Sequence, residues 1–272
     1  MPQLNTPSGS IGYTDTGQGP VIMFVHGFLF DKSMWTPQVR YFTDHGYRTV
    51  CVDLLGFGES TALSDTTPVE AHTVGLLAVL DALQVAQVTL VGYSMGGQVA
   101  LDFADAHPGR INALILSDTF AHLDTDAVIS SRFALADRLE REGTDAYSEE
   151  FLPHVLSPRT VRELPGVANH ARRMMVNAHP AGAAAALRGR AQRRDYTATA
   201  TALAVPALVI AGSEDSFDRG VLAADLAASI CEAQLHIVAH AGHTPSMEQP
   251  GAFNQALHQF LDSTVAAGIT ST

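Results

Sequence analysis

Short runs of consecutive apolar and β-branched residues recur along the chain. Between them, apolar residues return every three or four positions. The first spacing suits strands covered on both faces, and the second suits helices with one buried side. "VIMFVHG" (21–27), "YRTVCVD" (47–53), "QVTLVGY" (87–93), "INALILSD" (111–118), "VPALVIAG" (205–212) and "AQLHIVAH" (233–240) read as strands. A shorter strand and turn precede them in "SGSIGYTDTGQGP". Helices are expected over "WTPQVRYFTDHG", from about 68 to 83, over "GGQVALDFADAHP", near 218–230 and from about 251 to 261. The tail "AAGITST" reads as frayed.

Strand and helix patterns that alternate over short connections predict a doubly wound, mostly parallel α/β sheet. The alternation stops after Asp118. From about 120 to 196 the pattern is helical only, in "DAVISSRFALADRLEREG", "PRTVRELPGVANHARRMMVNAHP" and "AGAAAALRGRAQRR". The expected division is therefore a core of residues 1–119 and 197–272, with residues 120–196 inserted as an all-helical cap over the C-terminal ends of the strands.

Composition narrows the function classes. The 272 residues are 46% hydrophobic and 16% charged, enough for one large core. A formal charge of −12 argues against nucleic acid or an anionic membrane as partner. No apolar stretch approaches the roughly 20 residues of a membrane span, and the N-terminal segment lacks the pattern of a signal peptide. Cys51 and Cys231 stand far apart and make neither a disulfide framework nor a metal cluster. A soluble, cytoplasmic protein is expected. Oligomeric state is not legible in the chain.

Candidate chemistry begins at "LVGYSMGGQVA" (90–100), where Gly92-Tyr93-Ser94-Met95-Gly96 fits G-x-S-x-G between a strand and a helix. Such a turn strains the serine and aims the helix N-terminus at its hydroxyl. The plain alternative is a glycine-rich turn whose serine caps the helix. A nucleophilic serine needs a base and donors for the oxyanion, supplied from neighbouring strand ends. "GSEDSF" offers Asp215 and "AGHTPSMEQP" offers His243, in the chain order Ser, Asp, His. "FVHGF" places the backbone N–H of Phe28 where it can join that of Met95 as an oxyanion hole. Competing acids are Asp118, at the end of the strand after the serine helix, Glu214, and Asp218, read as a helix cap. Asp53 reads as the organiser of its own loop, and His240 as a second candidate base. His107 reads as a helix-end residue, and His154, His170 and His179 are expected to be solvent-exposed. The sequence holds no H-x-H or H-E-x-x-H pattern, so no metal is expected.

The motifs "HGF", "DLLGFGES", "GYSMGG", "GSED" and "AGHTPSMEQP" stand in the order found in α/β-hydrolases with a helical cap, and the chain resembles that superfamily from about residue 11 to 261. The resemblance implies a structural role for His26, no cofactor, and an acyl-serine mechanism. In it His243 moves the proton, Asp215 orients the imidazole, and water releases the acyl group. Haloalkane dehalogenases and epoxide hydrolases carry aspartate where Ser94 stands. Within the superfamily the chain is most similar to carboxylesterases and small enol-lactonases, with carbon–carbon hydrolases, thioesterases, perhydrolases and ligand receptors as alternatives. The expected substrate is a small to medium, mostly apolar ester or lactone. Gly27, Leu29, Trp35 and Phe57 are candidate pocket residues beside Phe28 and Met95. Arg188, Arg190, Arg193 and Arg194 are expected on a solvated helix face rather than as a carboxylate clamp.

Overall fold

The computed structural model describes residues 2–217 and 219–269. Strands β1 (Gln3–Thr6) and β2 (Gly9–Gly17) form an antiparallel hairpin, and β2 pairs antiparallel with β4 (Arg48–Val52). The remaining strands run parallel: β3 (Val21–Val25), β5 (Val88–Tyr93), β6 (Ile111–Ser117), β7 (Ala207–Gly212) and β8 (Gln234–Val238). The sheet order is β1-β2-β4-β3-β5-β6-β7-β8. The expected architecture is thus observed, with an antiparallel edge on a parallel sheet.

Every residue of β5 and β7 is buried, which is why both runs lack polar alternation. One face of the sheet is covered by α1 (Thr36–Asp44) and α12 (Pro250–Ile269). The other is covered by α2 (Val69–Ala82), α3 (Met95–Ala106) and α10 (Val221–Ser229). Gln38 of α1 donates from Nε2 to the Ser246 carbonyl and to Asn254 Oδ1, tying α1 to α12. β8 is an edge strand and leaves Leu235 and Ile237 exposed.

Between β6 and β7 the chain forms α4 (Asp126–Glu142), α5 (Asp145–Val155), α6 (Pro158–Glu163), α7 (Pro165–Asn177), α8 (Pro180–Ala191) and α9 (Thr197–Thr201). The pattern read as continuous from 158 to 180 breaks at Leu164, whose φ of −122° and ψ of 61° are non-helical. Pro165 lacks an N–H and disfavours helix at the residue before it. Helix α5 was not expected, because Pro153 lies inside it and masks the pattern. At the C-terminal end α12 runs through Ile269, past the expected stop at Leu261. Asp218 and the last three residues of the tail lie outside the described residues, so the expected cap at Asp218 is not addressed. No helix among the described residues is long and apolar enough to cross a membrane.

Candidate active site

The centre of the site is the junction of β5 and α3. Ser94 adopts φ 51° and ψ −113°, a left-handed backbone that costs a non-glycine residue about 1–3 kcal/mol. Neighbouring backbone holds it there. Its N–H donates to the Ser117 carbonyl at 2.8 Å, and its carbonyl accepts from Thr119 Oγ1 at 2.8 Å. The turn closes only because Gly96 has no side chain: a Cβ there would stand 2.5 Å from the carbonyl oxygens of Val25 and His26. The plain reading of Ser94 as a helix cap fails on geometry, since its side chain makes no capping bond to α3.

Ser94 Oγ instead lies 3.0 Å from His243 Nε2, and His243 Nδ1 lies 2.7 Å from Asp215 Oδ2. Asp215 and His243 are both buried, and Asp215 Oδ1 accepts the Phe217 N–H at 2.9 Å. The His243 ring is held between the rings of Tyr93 and Phe217, at 5.3 and 4.6 Å. Glu248 anchors the loop that carries His243. Its two oxygens accept from the Ser157 and Thr244 N–H groups and from the Thr244 hydroxyl. The neighbourhood of Glu248 was not legible in the sequence, because Ser157 approaches from 91 positions away.

The rival residues are committed elsewhere. Asp118 Oδ1 accepts the Gly212 N–H and Oδ2 accepts the Ser117 hydroxyl, so neither oxygen bonds His243. Burial, and then the nearby charge of Asp215, push the Asp118 carboxyl well above its ordinary range. Glu214 faces His240 at 3.5 Å on the surface, away from Ser94. Asp53 accepts the N–H groups of Lys32 and Glu59 and the Lys32 ammonium, organising the loop after β4. His26 is fully buried. Its Nδ1–H donates to the Gly27 carbonyl, while Nε2 accepts from Leu54 N–H. Asp118, Asp215 and His243 offer atoms within 4.8 Å of one another, a spacing a cation can use. The Asp215–His243 bond and the two donors on Asp118 already occupy those atoms.

A cavity of about 540 Å³ opens over Ser94 and His243. Phe28 lines it, and neither the Phe28 N–H nor the Met95 N–H has an acceptor among the described residues. Leu29 follows with φ 62°, a strained turn that holds the Phe28 backbone at the site. Five pocket expectations are corrected. Gly27 and the side chains of Leu29, Trp35, Phe57 and Met95 do not line the cavity. Trp35 is core, packed between Phe24 and Phe253, and Phe57 packs on His26 and Phe28 from below. At Gly27 a side chain would strike the Tyr93 ring at 2.7 Å. The lining comes instead from helices α4, α5 and α8, among them Leu135, Tyr147, Phe151 and Leu187.

The arginine expectation is corrected as well. Arg188 pairs with Asp137 and Glu140 at the surface, and Arg194 with Asp102 and Asp105. Arg190 and Arg193, however, are buried, and Arg190 lines the cavity. Arg188 and Arg190 lie on α8 while Arg193 and Arg194 follow its end at Ala191, and the sequence does not tell which of the four turns inward. His154 and His179 are exposed, but His170 is half-buried with Nε2 2.8 Å from Ser33 Oγ.

Fold and site together define a class. Residues 20–250 match the alpha/beta hydrolase fold family, and the chain belongs to it. Among its relatives is a thermophilic esterase from Thermogutta terrifontis, solved with malate bound, which is 33% identical with a TM-score of 0.94 over 97% of this chain and 99% of that one. The 3-oxoadipate enol-lactonase 2 of Acinetobacter baylyi is 26% identical over 95% of both chains. A 2-hydroxy-6-oxononadienedioate/2-hydroxy-6-oxononatrienedioate hydrolase from Pseudomonas sp is 25% identical over 93% of this chain and 92% of its own.

Proposed function

We propose that the protein is a serine hydrolase that cleaves carboxylic esters or lactones through an acyl-serine intermediate. The observation that carries this reading is the unbroken relay from Ser94 Oγ through His243 to Asp215, at 3.0 and 2.7 Å, at the floor of a cavity. His243 takes the hydroxyl proton as Ser94 attacks the carbonyl carbon, and Asp215 orients the ring and stabilises its cationic form. The free N–H groups of Phe28 and Met95 receive the oxyanion. His243 then gives its proton to the leaving oxygen. Water, deprotonated by the same ring, releases the acid. Helices α4 to α8 act as a cap that shapes the acyl site and limits water.

The esterase and enol-lactonase relatives support ester or lactone cleavage, and the dienedioate hydrolase keeps carbon–carbon cleavage as a second reading. Release of 4-nitrophenol from esters of increasing acyl length tests the first. The wild type is expected to turn over repeatedly and Ser94→Ala to lose on the order of 10⁴-fold or more in kcat. Equal inactivity of both proteins would reject ester cleavage and favour carbon–carbon substrates. Equal activity would reject Ser94 as nucleophile.

A further inference from the structure

Arg190 is the buried charge that the relay does not use. It sits on α8 with 9% of its surface exposed, lines the cavity, and donates from Nε to Gln98 Oε1 at 3.0 Å. Among the described residues no carboxylate pairs with it. Asp124, which lines the same cavity, is already taken: both its oxygens accept from Arg132 at 3.0 Å, and Arg193 Nε stands 3.9 Å away. Arg193 itself donates to the carbonyls of Ala121, His122 and Arg194. Two guanidinium groups, those of Arg132 and Arg193, therefore already share that carboxylate, inside a protein of net charge −12. Burial, reinforced by Arg132 and Arg193, holds the Arg190 pKa well below its ordinary value. A buried cation without a counter-ion is costly, and a cavity-facing one is relieved by an anion that enters the cavity.

We propose that Arg190 is the anchor of an anion subsite, and that the ester or lactone presented to Ser94 carries a carboxylate of its own. This rests on the serine-hydrolase reading and specifies its substrate class. With Nε engaged by Gln98, the two terminal nitrogens form a planar fork that matches the two oxygens of a carboxylate. The position of Gln98 limits the substrate's length. It follows Ser94 by four residues on α3, a rise of about 6 Å on the same helix face. The carboxylate thus lies only a few bonds from the scissile carbonyl, as in the half-ester of a short dicarboxylic acid or a lactone bearing a short acid arm. Orientation follows from charge: the Asp215 carboxylate stands behind the Ser94 relay, and Arg190 is the cavity-lining cation without a carboxylate partner.

The test compares 4-nitrophenyl hydrogen glutarate with its neutral methyl ester on the wild type, Arg190→Lys and Arg190→Met. The wild type is expected to favour the acid in kcat/KM by about ten- to a hundred-fold. Arg190→Met is expected to cut that preference at least ten-fold, and Arg190→Lys to keep part of it. The melting temperature of Arg190→Met should change little, since the bond lost from Gln98 Oε1 is offset by removal of a buried cation that has no ion pair. A wild type indifferent to the charge overturns the proposal. So does an Arg190→Met protein that keeps the preference, or one that melts far lower with the preference intact, which marks a structural cation. If the wild type hydrolyses neither ester, the serine-esterase reading has failed, and calorimetry with glutarate on Ser94→Ala decides the subsite separately. Binding that disappears in Ser94→Ala/Arg190→Met supports it, and no binding to Ser94→Ala overturns it.

Discussion

Ser94 is held in a backbone conformation that its own side chain disfavours, and that strain gives two measurable consequences. Replacement by glycine, which adopts positive φ freely, should remove the hydroxyl and also stabilise the fold by roughly 1 kcal/mol. Chemical denaturation of Ser94→Gly checks this, and an unchanged or lower midpoint would contradict the strain. Asp118 carries a cost of a different kind. Its folded pKa is raised, so its contribution to stability is complete below the unfolded value near pH 4 and is lost as pH rises through the folded value. Asp118→Asn should therefore melt higher than wild type at pH 8, with the gain vanishing near pH 4. The three residues of the relay were readable because each sits at a strand end in a recognisable short motif. Asp118 shared that signal, and what separates it from Asp215 is a hydrogen bond across the sheet from Gly212, which no spacing encodes, together with one from the adjacent Ser117 hydroxyl.

At the scale of elements, α8 shows why a run of alanines and glycines is placed over the site. A side chain at Gly182 would stand 2.1 Å from the Gly56 carbonyl oxygen, so the helix rests directly on the loop after β4. Ala183–Ala186 are buried, and α8 packs lengthwise against α4. Gly182→Ala should cost about 1–3 kcal/mol of stability by overpacking a contact that is backbone on both sides. Gly166→Ala in α7, which meets nothing within 4 Å, should be neutral or mildly stabilising. Thermal melts of the two variants side by side make the comparison. The strands were legible because burial on both faces leaves long apolar runs. The helices over the site were legible only in part. Pro153 hid α5, Pro165 split one expected helix into two, and the inward turn of Arg190 depends on packing against α3 rather than on any local pattern.

Across the whole molecule, buried imidazoles govern the response to acid. Burial lowers the pKa of His26, and burial together with the His26 charge lowers that of His72 to about 3. Both are neutral in the fold, so the stability they allow is present above about pH 6.5 and is lost as pH falls below it. Melting temperature should decline from pH 7 towards pH 4, and His72→Leu should flatten that slope. A slope identical to wild type would contradict the assignment. The same sheet that buries these groups brings the ends of β5, β7 and β8 to one edge, and there the chain acquires its chemistry. The proposed reaction stands on Ser94 as the nucleophile that its neighbours activate. Mass spectrometry after treatment with a 4-nitrophenyl alkylphosphonate tests it most directly. One phosphonyl group per chain is expected, on the peptide carrying Ser94, with activity lost in proportion. Label on any other residue, or inactivation without label at Ser94, would contradict it.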